Sequence, residues 1–195
     1  IGSGHNNFAI EAVIDELAQL AGKDPVEYRL AVLKDPRAKK VIERVAEMAD
    51  WKRKREGRAL GIAFAKLGLP PIGFSVARTV AEVSVDAASG KVKVHNLWCA
   101  VDVGLPVQPQ NVVAQIEGSL LYALGSAVKE RVSIKDGAVE QSNFHDYELI
   151  RMSDVPQMHV DIIRSGDIPL PVGELSISGT ILAISNAIFT LTGKS

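Results

Sequence analysis

Apolar positions change their period along the chain, and each change marks an element. Between 8 and 21, Phe8, Val13, Ile14, Leu17 and Leu20 recur at helical spacing, with Glu11, Asp15 and Glu16 set apart and Gly22 ending the run. This pattern predicts a helix on which the apolar positions and the carboxylates are set apart. Asp24-Pro25-Val26-Glu27 reads as a cap, a first-turn proline and a reciprocal glutamate, a capping-box signature for a second helix. Asp35-Pro36 repeats the device ahead of a third helix with a buried stripe of Val41, Ile42, Val45 and Met48.

Past a basic link at 52–58 the period becomes two. Residues 76–86 and 91–101 read as strands joined by the turn Ala87-Ala88-Ser89-Gly90, and 60–66 is a further candidate strand. Ala81, Val83 and Val85 fall on one face, with Glu82, Ser84 and Asp86 on the other. Helical spacing returns over 111–128, where Val112, Ile116, Leu120 and Leu124 form the apolar stripe. Gly118, Ser119, Gly125 and Ser126 allow close contact on another side. Residues 128–134 and 138–143 predict a hairpin closed by Lys135-Asp136-Gly137, 160–164 a short strand and 180–191 a terminal helix. Helices first, then mainly antiparallel strands with packed helices, imply an α+β fold. The division expected is a helical segment over 1–57 and an α+β lobe over 58–195, continuous with each other.

Composition mainly excludes. A chain of 195 residues, 47% hydrophobic and with net charge −1, suits one buried core and gives no electrostatic case for nucleic acid or an anionic membrane. The single Cys99 rules out an internal disulfide and any all-cysteine iron–sulfur cluster within the chain. Electrons handled here must therefore leave through a bound organic cofactor or another polypeptide. His5, His95, His145 and His159 have no metal-ligand spacing, so no metal held by protein groups is expected. His145-Asp146-Tyr147 reads as a locally hydrogen-bonded cluster, and Cys99 as a buried, inert thiol. No nucleophile elbow, dinucleotide fingerprint or Walker loop is present. The charge-free run 175–193 is broken by Ser, Thr, Asn and Gly, which favours a loop and a buried helix over a membrane span. The chain opens on Ile1 with no signal-like stretch, which reads as processing or as part of something longer and leaves periplasm and cytoplasm open.

One carboxylate stands out. Glu174 ends the run Leu-Pro-Val-Gly-Glu (170–174), just ahead of an apolar helix, where stiff backbone aims a side chain and limits its hydration. It is a candidate general base; the competing reading is an ordinary solvated loop glutamate. Upstream lie Cys-Ala-Val-Asp-Val-Gly (99–104) and Gln115 within Asn-Val-Val-Ala-Gln-Ile-Glu-Gly. Phe-Ala-Ile-Glu-Ala-Val-Ile-Asp-Glu-Leu-Ala (8–18), Gly-Lys-Asp-Pro-Val-Glu-Tyr-Arg-Leu (22–30), Gln-Ser-Asn-Phe-His-Asp-Tyr (141–147) and Asn-Ala-Ile-Phe (186–189) complete the set. Those pieces, in that order, resemble the molybdenum-cofactor-binding large subunit of the xanthine dehydrogenase and aldehyde oxidase family. The nearest likeness is to its isoquinoline 1-oxidoreductase beta-subunit and membrane-bound aldehyde dehydrogenase branch, over the C-terminal quarter or so of such a subunit.

The resemblance implies hydroxylation of an aldehyde or N-heterocycle with oxygen from water. By motif, Glu174 is the family's proton-accepting glutamate, Gln115 the amide that touches the pyranopterin or the metal's ligands, and Gly173 the point of close backbone approach. It also implies molybdopterin cytosine dinucleotide as cofactor, shared with segments outside this chain such as a Gly-Gln-Gly-like loop. The implied partners are the remaining part of the molybdenum-binding subunit, a small [2Fe-2S] subunit and, in this branch, sometimes a cytochrome c. Two departures stand against the pattern. Leu175-Ser176-Ile177-Ser178 replaces the usual Pro-Gly continuation, which predicts a less rigid loop, and no Arg precedes Gly4-His5. A non-catalytic assembly domain that keeps the fold is the alternative these departures suggest.

Overall fold

The computed structural model describes residues 3–166 and 168–194, without the side chains of Ser3 and Leu69. Three helices come first: α1 (Ser3–Leu20), α2 (Pro25–Val32) and α3 (Pro36–Met48). Asp24 caps α2 by accepting from the Val26 and Glu27 amides at 2.9 and 3.1 Å, and Asp35 caps α3 through the Arg37 amide. The reciprocal half of the expected capping box does not form; the Glu27 carboxylate pairs instead with Lys52 Nζ at 3.0 Å. Strands β1 (Ala59–Leu69), β2 (Gly73–Val85) and β3 (Val92–Asp102) follow, then α4 (Pro109–Val128). The expected hairpin shrinks to β4 (Ile134–Lys135) and β5 (Ala138–Val139) around Asp136-Gly137, both at positive φ. β6 (Gln157–Ile163) and α5 (Ile177–Thr192) complete the chain.

The sheet runs β1-β2-β3-β6, antiparallel except for the parallel pair β3 and β6. It is covered on both faces. One face of β2 and β3, with Ala77, Ala81, Val83, Leu97, Cys99 and Val101, packs under the apolar sides of α4 and α5. The other, with Val76, Val80 and Ala100, packs on Val41, Ile42 and Val45 of α3. Of the expected polar face of β2, Glu82 is buried, Ser84 is half-buried and Asp86, just past the strand, is exposed; residues 75–83 are buried throughout. Glu82 is neutralised where it lies, by Arg55 Nε at 3.1 Å and the Asn96 amide at 2.6 Å. That contact also orders part of the link expected to be a solvated connector. α4 matches expectation, with Val112, Ile116, Leu120 and Leu124 all buried.

α1 is the helix expected over 8–21, but it inverts the common amphipathic arrangement. Its carboxylates Glu11 and Asp15 are each only 4% exposed, whereas Ile10, Val13, Leu17 and Leu20 are 43–84% exposed. The cause is the cationic floor beneath it. Arg29 of α2, 1% exposed, donates to Glu11 at 2.9 and 3.2 Å and to Asp15. Buried Arg78 of β2 sits 3.8 Å from the centre of the Phe64 ring, with Nε and Nη1 unpartnered among the described residues. Burial pulls the Arg78 guanidinium down to about 9, with Glu11 opposing that shift. A buried cation needs a counter-charge far more than an aliphatic side chain needs cover, so the acidic face turns inward.

Candidate cofactor and active site

The parallel pair sets the site, because open sheets gather ligands beyond the carboxyl ends of such strands. β3 and β6 end at Asp102 and Ile163, and the loops that leave them lie side by side. Leu105 N donates to Ile168 O and Leu170 N to Val103 O, both at 3.0 Å, and Ser165 N donates to Gly104 O at 3.3 Å. Gly104 makes this possible: at φ +69°, a Cβ there would lie 2.2 Å from Ile168 O.

Asp102, 1% exposed, holds the junction. Its carboxylate accepts from Arg37 Nε and Nη2 at 2.9 and 2.7 Å, from Ser165 Oγ at 2.5 Å and from the Gly104 amide at 3.0 Å. Burial raises the pKa of Asp102, but the bonds from Arg37, Ser165 and Gly104, with the Arg37 charge, outweigh it and hold the carboxyl below its ordinary value. Arg37 comes from α3, so the helical region reaches into the junction.

On the α4 side of that junction lies a shallow groove of about 230 Å³. Gln108, Asn111 and Gln115 line it at i, i+3 and i+7, facing Pro169, Leu170 and Val172 of the loop that leads to Glu174. The structure thus sets Gln115 against the approach to Glu174. Glu174 lies just beyond the lining residues and is exposed, as is Gly173. Gln108 and Asn111 escaped sequence reading, although their spacing from Gln115 already put all three amides on one helix face. Gly118 continues that face; an added Cβ at Gly118 or Gly173 would meet nothing within 4 Å. Among the described residues, none packs closely on Gly118. A larger hollow of about 510 Å³ lies beyond Asp102 among Arg37, Lys40 and Arg164, away from both Gln115 and Glu174.

The loop around Glu174 is tied down by hydrogen bonds at several points. Pro171 O accepts from Ser75 Oγ at 2.6 Å, and Leu175 N and Ile177 N close turns onto Val172 O and Glu174 O. Leu175 and Ser176 are buried, with Ser176 Oγ 3.3 Å from Cys99 Sγ. Burial pushes the Cys99 thiol up to about 11, the value of an unreactive thiol. His145 is exposed, and its neighbours bond locally, Asp146 to the Ser142 and Asn143 amides and Tyr147 to Glu130. Among the described residues no group of His, Cys, Asp and Glu could hold a metal, and no helix is long and apolar enough to cross a membrane.

A profile of the molybdopterin cofactor-binding domain matches residues 8–156. The chain belongs to that family. It is 39% identical to the beta subunit of isoquinoline 1-oxidoreductase from Brevundimonas diminuta, over all of this chain and 25% of that protein. It is 36% identical to a nicotinate dehydrogenase subunit of Pseudomonas putida, over 96% of this chain and 17% of that one. The chain thus spans a quarter or less of these relatives. The aldehyde oxidoreductase of Desulfovibrio gigas shares the fold with a TM-score of 0.84 at 14% identity, over 98% of this chain and 39% of that one. The donor set fits one wall of a pterin site: three uncharged amides, two glycines with open space above them and an exposed carboxylate. The groove is smaller than the roughly 300–1,000 Å³ of ordinary small-molecule pockets.

Proposed function

We propose that the chain supplies the base-bearing wall of a molybdenum hydroxylase that oxidises an aldehyde or N-heterocycle with oxygen from water. The observation that carries this reading is the shared groove, in which Gln115 faces the anchored loop that ends at Glu174. Gln115 offers the cofactor a donor and an acceptor without adding charge. Gly173 leaves its backbone approachable, and Glu174, held on both sides, accepts the proton of the attacking oxygen. Bound molybdopterin cytosine dinucleotide, carrying molybdenum, supplies the electron sink. Electrons would leave by way of [2Fe-2S] clusters outside this chain, on a small partner subunit, and in an assembly that includes one to a cytochrome c; the single buried cysteine could not hold such a cluster here.

The test is Glu174→Gln in the complete assembly, which keeps the shape and removes the charge. Turnover should fall by about 10²–10⁴-fold while molybdenum and pterin content stay unchanged. An unaltered kcat would eliminate Glu174 as the base. The competing reading, an assembly domain without chemistry, draws support from the apolar outer face of α1, and the same variant separates the two.

A further inference from the structure

We infer that the outward stripe of α1 is a docking seam for a helix belonging to the remainder of the molybdenum hydroxylase large subunit; this rests on the assignment to such an assembly. Ile10, Val13, Leu17 and Leu20 are 56, 51, 43 and 84% exposed. Their spacing of three, four and three residues is the alternation by which one helix seats side chains between those of another. The seam lies nearly opposite the buried Glu11, Asp15 and Ala18. α1 cannot turn over to bury it, because the turn would strand the buried Arg29 without its two carboxylates. Solvent on one side and an ionic floor on the other leave the apolar residues to a partner.

The geometry favours a helix as that partner. Beside the seam, Phe8, Ala12 and Glu16 of α1 and Ser185, Asn186 and Phe189 of α5 border a mostly apolar cleft of about 180 Å³, room for one or two side chains. A helix laid along α1 would fill both seam and cleft. The relatives carry at least three times as much polypeptide again beyond the part this chain matches, which is the source of such a helix. The seam also lies on the helical arm, whereas Gln115 lies on α4, so docking leaves the candidate site's own groove uncovered.

Val13→Cys reads the contact directly when labelling is scored by mass spectrometry on the peptide that carries it, and this chain's own thiol, Cys99, is buried and unreactive. The rate of maleimide labelling is compared between the chain alone and the purified assembly, with Lys23→Cys, on the exposed turn after α1, as the control. Position 13 should label freely in the chain alone and roughly tenfold or more slowly in the assembly, while position 23 changes little. Equal rates at position 13 in both states overturn the inference. Protection in the chain alone that disappears on dilution assigns the seam to a second copy, and protection independent of concentration means α1 is turned over; either overturns it. Should Val13→Cys fold poorly, Leu17→Cys reads the same seam. Labelling is independent of turnover, so it stands or falls separately from the Glu174→Gln result.

Discussion

Asp102 is the residue on which the candidate site hangs, and its four hydrogen bonds allow a signed prediction. Asp102→Asn removes the charge that Arg37 answers and should cost about 2–4 kcal/mol in urea unfolding, somewhat under the full penalty for breaking a buried pair because Arg37 is 29% exposed. Since the folded carboxyl titrates below its ordinary value of 3.8, its contribution is complete above that pH and is lost as the pH falls through the folded value. The wild type should therefore lose stability on acidification below pH 4 more steeply than the variant; matching acid limbs would contradict the pairing. Asp102 was visible in sequence only as part of a motif, because nothing local reveals that an arginine 65 positions earlier reaches it.

At the level of elements, legibility followed how local the forces are. Caps at Asp24 and Asp35 and the stripe of α4 depend on neighbours a few residues away and were readable. The orientation of α1 was not, since it is decided by Arg29 and Arg78, which lie outside its own apolar pattern. Likewise the second covered face of β2 required knowing that α3 packs there. The fit of α5 on β1 is closer still. A Cβ on Gly61 would lie 2.2 Å from both Ala183 O and Ala187 N, and the Asn186 side chain donates to Ile62 O at 3.0 Å. Gly61→Ala should lift α5 and cost about 3 kcal/mol in chemical denaturation, whereas Gly90→Ala, at a turn with open space, should cost less through its positive φ alone. Equal losses at the two positions would argue against the close seating of α5.

For the whole molecule, the decisive property is how shallow the groove is. Gln108, Asn111 and Gln115 with Pro169, Leu170 and Val172 line it, and on the proposed reading it is one wall of a larger site. The chain purified alone should thus retain less than about a tenth of the molybdenum held by the assembly and show no turnover, as metal analysis by mass spectrometry would register. Equal metal content in both would mean that the wall suffices. Glu174 and Gln115 could be picked out in sequence through likeness to a family, but their relation in space needed the parallel pairing of β3 with β6, a contact between segments about sixty residues apart.

The bond from Arg37 to Asp102 also has an evolutionary reading. It ties α3 to the junction of the loops that leave β3 and β6, so on the proposed reading one pair of side chains serves both the helical segment and the base-bearing loop. On that reading, a change at position 37 would shift both how α3 sits and how the loop is held, and a chain that altered one partner would have to re-match the other.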